Sequence, residues 1–169
     1  RIHWNTVKCL TSPQVVGFAN CNIFGPDQSL ISTEFQFNRD LTQIRGTFIM
    51  HLPRPPSKEF HKIVDINFDV CQFCKTSSQN KFLAIAYQSM KKDSNFPCKC
   101  PISKVGFHLI LINSLTSQHI FVFQGFYYIH NMDIGANVPL FIPKNSFKIV
   151  ISFSQPELSI LNISLSGFL

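Results

Sequence analysis

The stretch SLISTEFQFN, residues 29–38, alternates between two kinds of side chain. Ile31, Thr33, Phe35 and Phe37 fall on one face, and Leu30, Ser32, Glu34 and Gln36 on the other. A period of two fits a half-buried strand; a helix would need apolar residues three and four apart. LTQIRGTFIMHL (41–52) repeats the pattern after an Asn38-Arg39-Asp40 turn. IVDINFDVC (63–71), FKIVISFS (147–154) and LSILNISLSGF (158–168) extend it, the last two joined by a Gln155-Pro156-Glu157 turn. Three prolines in HLPRPPSKEF (51–60) mark a loop or a crossing at a sheet edge. About eight strands, with turn signals about every 8–12 residues, predict an all-β fold: an antiparallel β-sandwich or β-cup.

One segment departs from this rule. SSQNKFLAIAYQSMKK (77–92) offers Ser77 or Ser78 as an N-cap, a run of good helix formers, and basic residues at its end. It predicts a short amphipathic helix over about 78–91, with Phe82, Ala86 and Met90 near one stripe and Leu83, Ile85 and Tyr87 beside it. At 169 residues the chain is expected to form a single domain, 1–169, with a core of its own.

Cysteines flank that helix: Cys71 and Cys74 before it, Cys98 and Cys100 after it, with Cys9 and Cys21 near the start. Four thiolates could hold a zinc ion in a tetrahedron. The one-residue gap in Pro97-Cys98-Lys99-Cys100-Pro101 is poor for a zinc knuckle, and that site would leave two cysteines over. Disulfides are the favoured reading, with no metal and no cofactor; six cysteines allow 15 connectivities. An even cysteine count points to an oxidising compartment. The chain opens on Arg1 rather than Met, as a mature chain does after removal of a signal peptide, and Asn162-Ile163-Ser164 is a glycosylation sequon. A secreted, extracellular protein is expected.

Eighteen phenylalanines stand against only 14% charged residues. That much aromatic mass fills a large core or lines a cavity for apolar guests. The net charge of +6 is spread without a dense basic run, which argues against a nucleic-acid partner. Weak attraction to an anionic membrane surface stays open.

Phe68-Asp69-Val70-Cys71, a helix, then Ser94-Asn95 and Cys100-Pro101 together resemble an insect-expanded branch of the lipid-recognition (ML) family. That branch includes the chemosensory B proteins and is similar to the ganglioside activator protein, which shares the Pro-Cys-x-Cys-Pro arrangement. Trp4-Asn5…Cys9 and Leu165-Ser166-Gly167 are similar to its ends. The resemblance implies a β-cup around a hydrophobic cavity, an apolar guest and no catalysis. It also implies the pairs Cys71–Cys100 and Cys74–Cys98, which leave Cys9 with Cys21. The activator protein's link from its first cysteine to one near the C-terminus cannot form here, since no cysteine follows residue 100.

No Gly-x-Ser-x-Gly, His-Glu-x-x-His or phosphate-binding loop is present. His51 and His61 flank the proline loop, His108 and His119 lie within residues 105–124, and His130 follows an aromatic run. Asp65 and Asp69 share one face of a strand and could mimic a carboxylate pair, though solvation at a strand edge explains them better. The expected cavity lining is Phe35, Phe37, Phe48, Met50, Phe68, Phe82, Phe147 and Phe153; the competing reading is that these side chains interdigitate and fill the interior. The expectation is a non-enzymatic, monomeric binder of lipids or other apolar ligands, acting in chemosensory perception of pheromones or contact chemicals. The alternatives are a receptor-associated interaction module without lipid, or a lipid-active hydrolase.

Residues 105–124, VGFHLILINSLTSQHIFVFQ, separate Lys104 from Gly125-Phe126-Tyr127-Tyr128, which family members reach directly. The block begins with Val, whose codons start GT, and ends with Gln, which CAG encodes. It reads either as an inserted β-hairpin or as a retained intron.

Overall fold

The alternating stretch forms the middle strand of the smaller of two antiparallel sheets. The computed structural model describes residues 2–104, 125–138 and 145–169, so the extra block 105–124, with His108 and His119, lies outside the described residues. Among the described residues there are eight strands: β1 (His3–Thr11), β2 (Val16–Phe24), β3 (Leu30–Phe37), β4 (Arg45–Pro53), β5 (Phe60–Asp69), β6 (Phe126–Met132), β7 (Ser146–Gln155) and β8 (Leu158–Phe168). The larger sheet runs β1-β8-β7-β4-β5 and the smaller β2-β3-β6. The fold is all-β, as the alternation predicts.

Ile31, Thr33, Phe35 and Phe37 are buried between the sheets, and their alternating neighbours face outward. Opposite them, Phe48 and Met50 of β4, Phe147 and Ile149 of β7, and Leu161, Ile163 and Leu165 of β8 turn inward. Trp4 is wholly buried; its indole N–H donates to the Ser29 carbonyl at 3.2 Å and its ring meets Phe147 edge-on at 5.4 Å. Buried indoles need such a partner, and this one ties β1 to the smaller sheet's entry.

Several predicted boundaries move. The strand predicted from 41 is β4 and begins at Arg45, because Leu41 pairs instead with Ile102: each N–H donates to the other's carbonyl, at 2.9 and 2.8 Å. The proline-rich segment holds the expected loop in its middle, with strand at both ends. β4 runs through Pro53 and β5 starts at Phe60, leaving only 54–59 as the turn. Pro53 is tolerated because the β4–β7 pairing has already ended at His51, so its missing N–H breaks no bond on that side. β5 ends at Asp69, where the Asp69 carboxylate accepts from the Cys71 N–H at 2.7 Å and turns the chain into a 3-10 turn over Val70–Gln72.

The helical region is also broken up. A single turn, α1 (Phe73–Thr76), and a 3-10 turn over Ser77–Gln79 precede α2 (Lys81–Met90). Neither Ser77 nor Ser78 caps α2. Asn80 does: its Oδ1 accepts from the Phe82 and Leu83 N–H groups at 2.9 and 3.4 Å, while Ser77 is buried in the preceding turn. Lys91 and Lys92 fall at and beyond the C-cap rather than in the last turn.

Three disulfides hold these parts. Cys9–Cys21 joins β1 of the larger sheet to β2 of the smaller, Cα to Cα 6.1 Å. Cys71–Cys100 and Cys74–Cys98, at 5.2 and 5.4 Å, tie the helical segment to the irregular loop that follows α2. All lie in the normal span for the bond.

Candidate functional site

Between the two sheets and under α2 lies a cavity of about 140 Å³. The smaller sheet contributes Ile31, Thr33, Phe35 and Phe37 from β3, with Ile129 and Met132 from β6. Phe48, Phe68 and Phe153 stand across from them on the larger sheet, and Leu83, Ala86 and Met90 close the space from α2. Leu41 and Ile102, held by their mutual hydrogen bonds, and Val70 and Phe96 beside the paired disulfides complete the wall. Thr33 is the single polar residue among the described lining residues.

Of the eight residues expected to line a cavity, Phe35, Phe37, Phe48, Phe68 and Phe153 do so. The other three do not. Met50 and Phe147 are buried in the core away from the space, Phe147 against Trp4. Phe82 stacks on Phe48 at 6.0 Å and backs the wall from outside the space. The aromatic rings brace one another around the cavity: Phe68 meets Phe73 at 5.5 Å and Phe153 edge-on at 6.4 Å, and Phe73 meets Tyr87 edge-on at 5.9 Å. Gly46 makes room for this, since the Phe68 ring lies directly over the place where a Cβ would stand.

The size sets limits on a guest. An apolar cavity of similar volume, about 150 Å³, holds a benzene-sized molecule, whereas pockets for drug-sized ligands start near about 300 Å³. The space therefore takes one ring or a short run of methylenes without rearrangement; a longer chain needs α2 or the Cys98–Cys100 loop to give way.

Tyr127 stands at the edge of this region, its ring 5.5 Å from Phe37 and 6.1 Å from Phe96. Its hydroxyl donates to the Ser103 carbonyl, fixing the end of the disulfide loop. Burial, and secondarily the Asp40 carboxylate, raise its pKa above the ordinary phenol value.

Other polar residues singled out in the sequence have structural partners. Asp65 pairs with Lys62, and Asp69 caps the turn at Cys71. Asn162 sits in mid-β8, paired with Leu10 and Ser152, with its Oδ1 buried. One pair was not legible beforehand. Glu34 of β3 and His130 of β6 meet at 3.0 Å across 96 residues of sequence, on the outer face of the smaller sheet. Ser32 lines the same shallow depression, but its hydroxyl accepts from the Asn131 N–H rather than bonding to His130. Glu34 Oε2 is taken by Asn20. These bonds do not form a nucleophile–base relay, which would need the hydroxyl bonded to the imidazole.

Residues 47–123 match the model of a family described as a protein of unknown function, DUF1091. The matched range takes in most of β4, all of β5, both helices and the paired disulfides. No curated protein matches the chain. Among the described residues, no helix is long and apolar enough to cross a membrane.

Proposed function

We propose that the protein is a secreted, non-enzymatic carrier that holds a lipid or other apolar ligand between its sheets, in the chemosensory setting that its resemblance implies. The observation that carries this reading is the unfilled apolar space of about 140 Å³, walled by braced aromatic rings from both sheets and by α2. Leaving such a space empty costs about 3 kcal/mol, at roughly 24 cal/mol per Å³, so a guest that fills it recovers stability as well as burying its own surface. Each buried methylene adds about 0.8 kcal/mol, and this attraction makes no demand on shape beyond fit. Three disulfides support an extracellular setting. Native mass spectrometry of protein secreted from insect cells, with solvent extraction of the same sample, tests the reading. One co-purified apolar molecule per chain is expected. A chain that carries none, and that takes up no apolar probe at micromolar concentration, would speak for a closed sandwich instead.

A receptor-associated role is the second reading, favoured by one feature. Phe18 and Phe126 stack at 6.4 Å on the outer face of the smaller sheet, both well exposed. Loss of receptor or cell-surface binding in Phe18→Ser, with ligand uptake intact, would support it.

A further inference from the structure

Three buried side-chain oxygens among the described residues lack a hydrogen-bond partner: Ser29 Oγ, Thr33 Oγ1 and Asn162 Oδ1. Only one of these residues, Thr33, lines the cavity. It is 3% exposed, on the inward face of β3 between Ile31 and Phe35, and its backbone neighbours are Cys21 on β2 and Ile129 on β6. An unpaired hydroxyl in an apolar wall is unfavourable, because it has left water without a replacement bond. Valine would have the same shape there without that penalty. Water does not resolve the problem, since a buried water needs two to four polar partners and the described wall offers one residue.

We propose that the Thr33 hydroxyl is the polar anchor of the cavity, and that the guest is an apolar molecule carrying one hydrogen-bonding oxygen, as in an alcohol, phenol, ketone or ester. This rests on the carrier reading above. A threonine hydroxyl both donates and accepts, so it serves a carbonyl and an alcohol alike. Rotation about χ1 between staggered wells moves the hydroxyl from one staggered position to another, which lets the oxygen turn to the guest without moving β3. With all other described lining residues apolar, a single oxygen on the guest would fix its orientation, while hydrocarbon contacts would supply the affinity. A second polar group on the guest would be left unpaired against the described wall.

The test uses an isosteric pair of probes, toluene and phenol, titrated by calorimetry into wild type, Thr33→Val and Thr33→Ser. The quantity read is the ratio of the two dissociation constants, which cancels effects on cavity shape. In Thr33→Val this ratio is expected to move about tenfold in favour of toluene, a shift equal to about 1.4 kcal/mol. Thr33→Ser, which keeps the hydroxyl, is expected to stay near the wild-type ratio. The melting temperature of ligand-free Thr33→Val is expected to equal or exceed that of wild type. If both probes bind wild type and Thr33→Val with the same ratio, the anchor is wrong and the carrier reading survives. If Thr33→Val melts lower than wild type, the hydroxyl already has a partner in the fold, and the anchor is again wrong. If neither probe binds wild type, the carrier reading fails and takes the anchor with it.

Discussion

Two of the three disulfides are nested, and this makes their contributions interdependent in a way that can be measured. Cys71–Cys100 closes a sequence separation of 29 and Cys74–Cys98 one of 24, while Cys9–Cys21 closes only 12. Taken singly, chain entropy assigns about 3.5 kcal/mol to each of the long loops and about 3 kcal/mol to the short one. The long loops share their span, however. With one bridge intact, the other two cysteines are already joined by a path of three residues at one end and two at the other. Closing a loop of about five residues is worth only about 2 kcal/mol on the same relation. Replacing Cys71 and Cys100 by alanine, or Cys74 and Cys98, should therefore cost about 2 kcal/mol each, less than the roughly 3 kcal/mol for Cys9 and Cys21. Replacing all four should cost about 5.5 kcal/mol, more than the two double variants summed. Urea unfolding under non-reducing conditions, with m-values compared, reads these differences. If either nested pair alone costs more than Cys9–Cys21, or the two are simply additive, shared loop closure is not how these bridges act.

Gly46→Ala should place its methyl against the Phe68 ring and drive that ring into the cavity. A loss of about 1–3 kcal/mol in unfolding free energy is expected, together with weakened probe uptake in calorimetry. Asn80→Ala removes the acceptor for two N–H groups of α2 and should destabilise by about 1 kcal/mol, seen in urea unfolding, whereas Ser78→Ala should be close to neutral. Tyr127 has a folded-state pKa above its ordinary value of 10.0, so its neutral form contributes stability that is complete below pH 10 and is lost as pH rises through the raised pKa. Melting curves should accordingly fall more steeply above pH 10 in wild type than in Tyr127→Phe.

The β architecture was readable because antiparallel strands with one wet face leave a period of two in the sequence, and β3 shows it cleanly from Ile31 to Phe37. Alternation names the buried face of a strand but not which part of that face meets empty space. Phe48 and Met50 have the same inward register, yet only Phe48 borders the cavity. Phe147 was equally well placed by period, and Trp4, 143 residues away in sequence, fills the space before it. Leu41 and Ile102 sit outside the strands and Val70 opens a 3-10 turn, so no period could mark them as lining. The cap of α2 went unread because serine and asparagine are equally good N-caps, and only the 3-10 turn at Ser77–Gln79 decides for Asn80. Cysteine pairing did not follow from spacing; the family resemblance supplied it, and the Cα separations agree.

The central claim is that the space between the sheets takes a guest, and filling it with the protein's own atoms tests that directly. Ala86 faces the cavity from α2, so Ala86→Phe should put a ring where a ligand would sit. Calorimetric titration with toluene, a probe of the size the cavity admits, should show one site per chain in wild type. The account predicts at least a tenfold loss of that binding in Ala86→Phe, with the melting temperature of the ligand-free variant held or raised. Undiminished probe binding in a folded Ala86→Phe protein would contradict it.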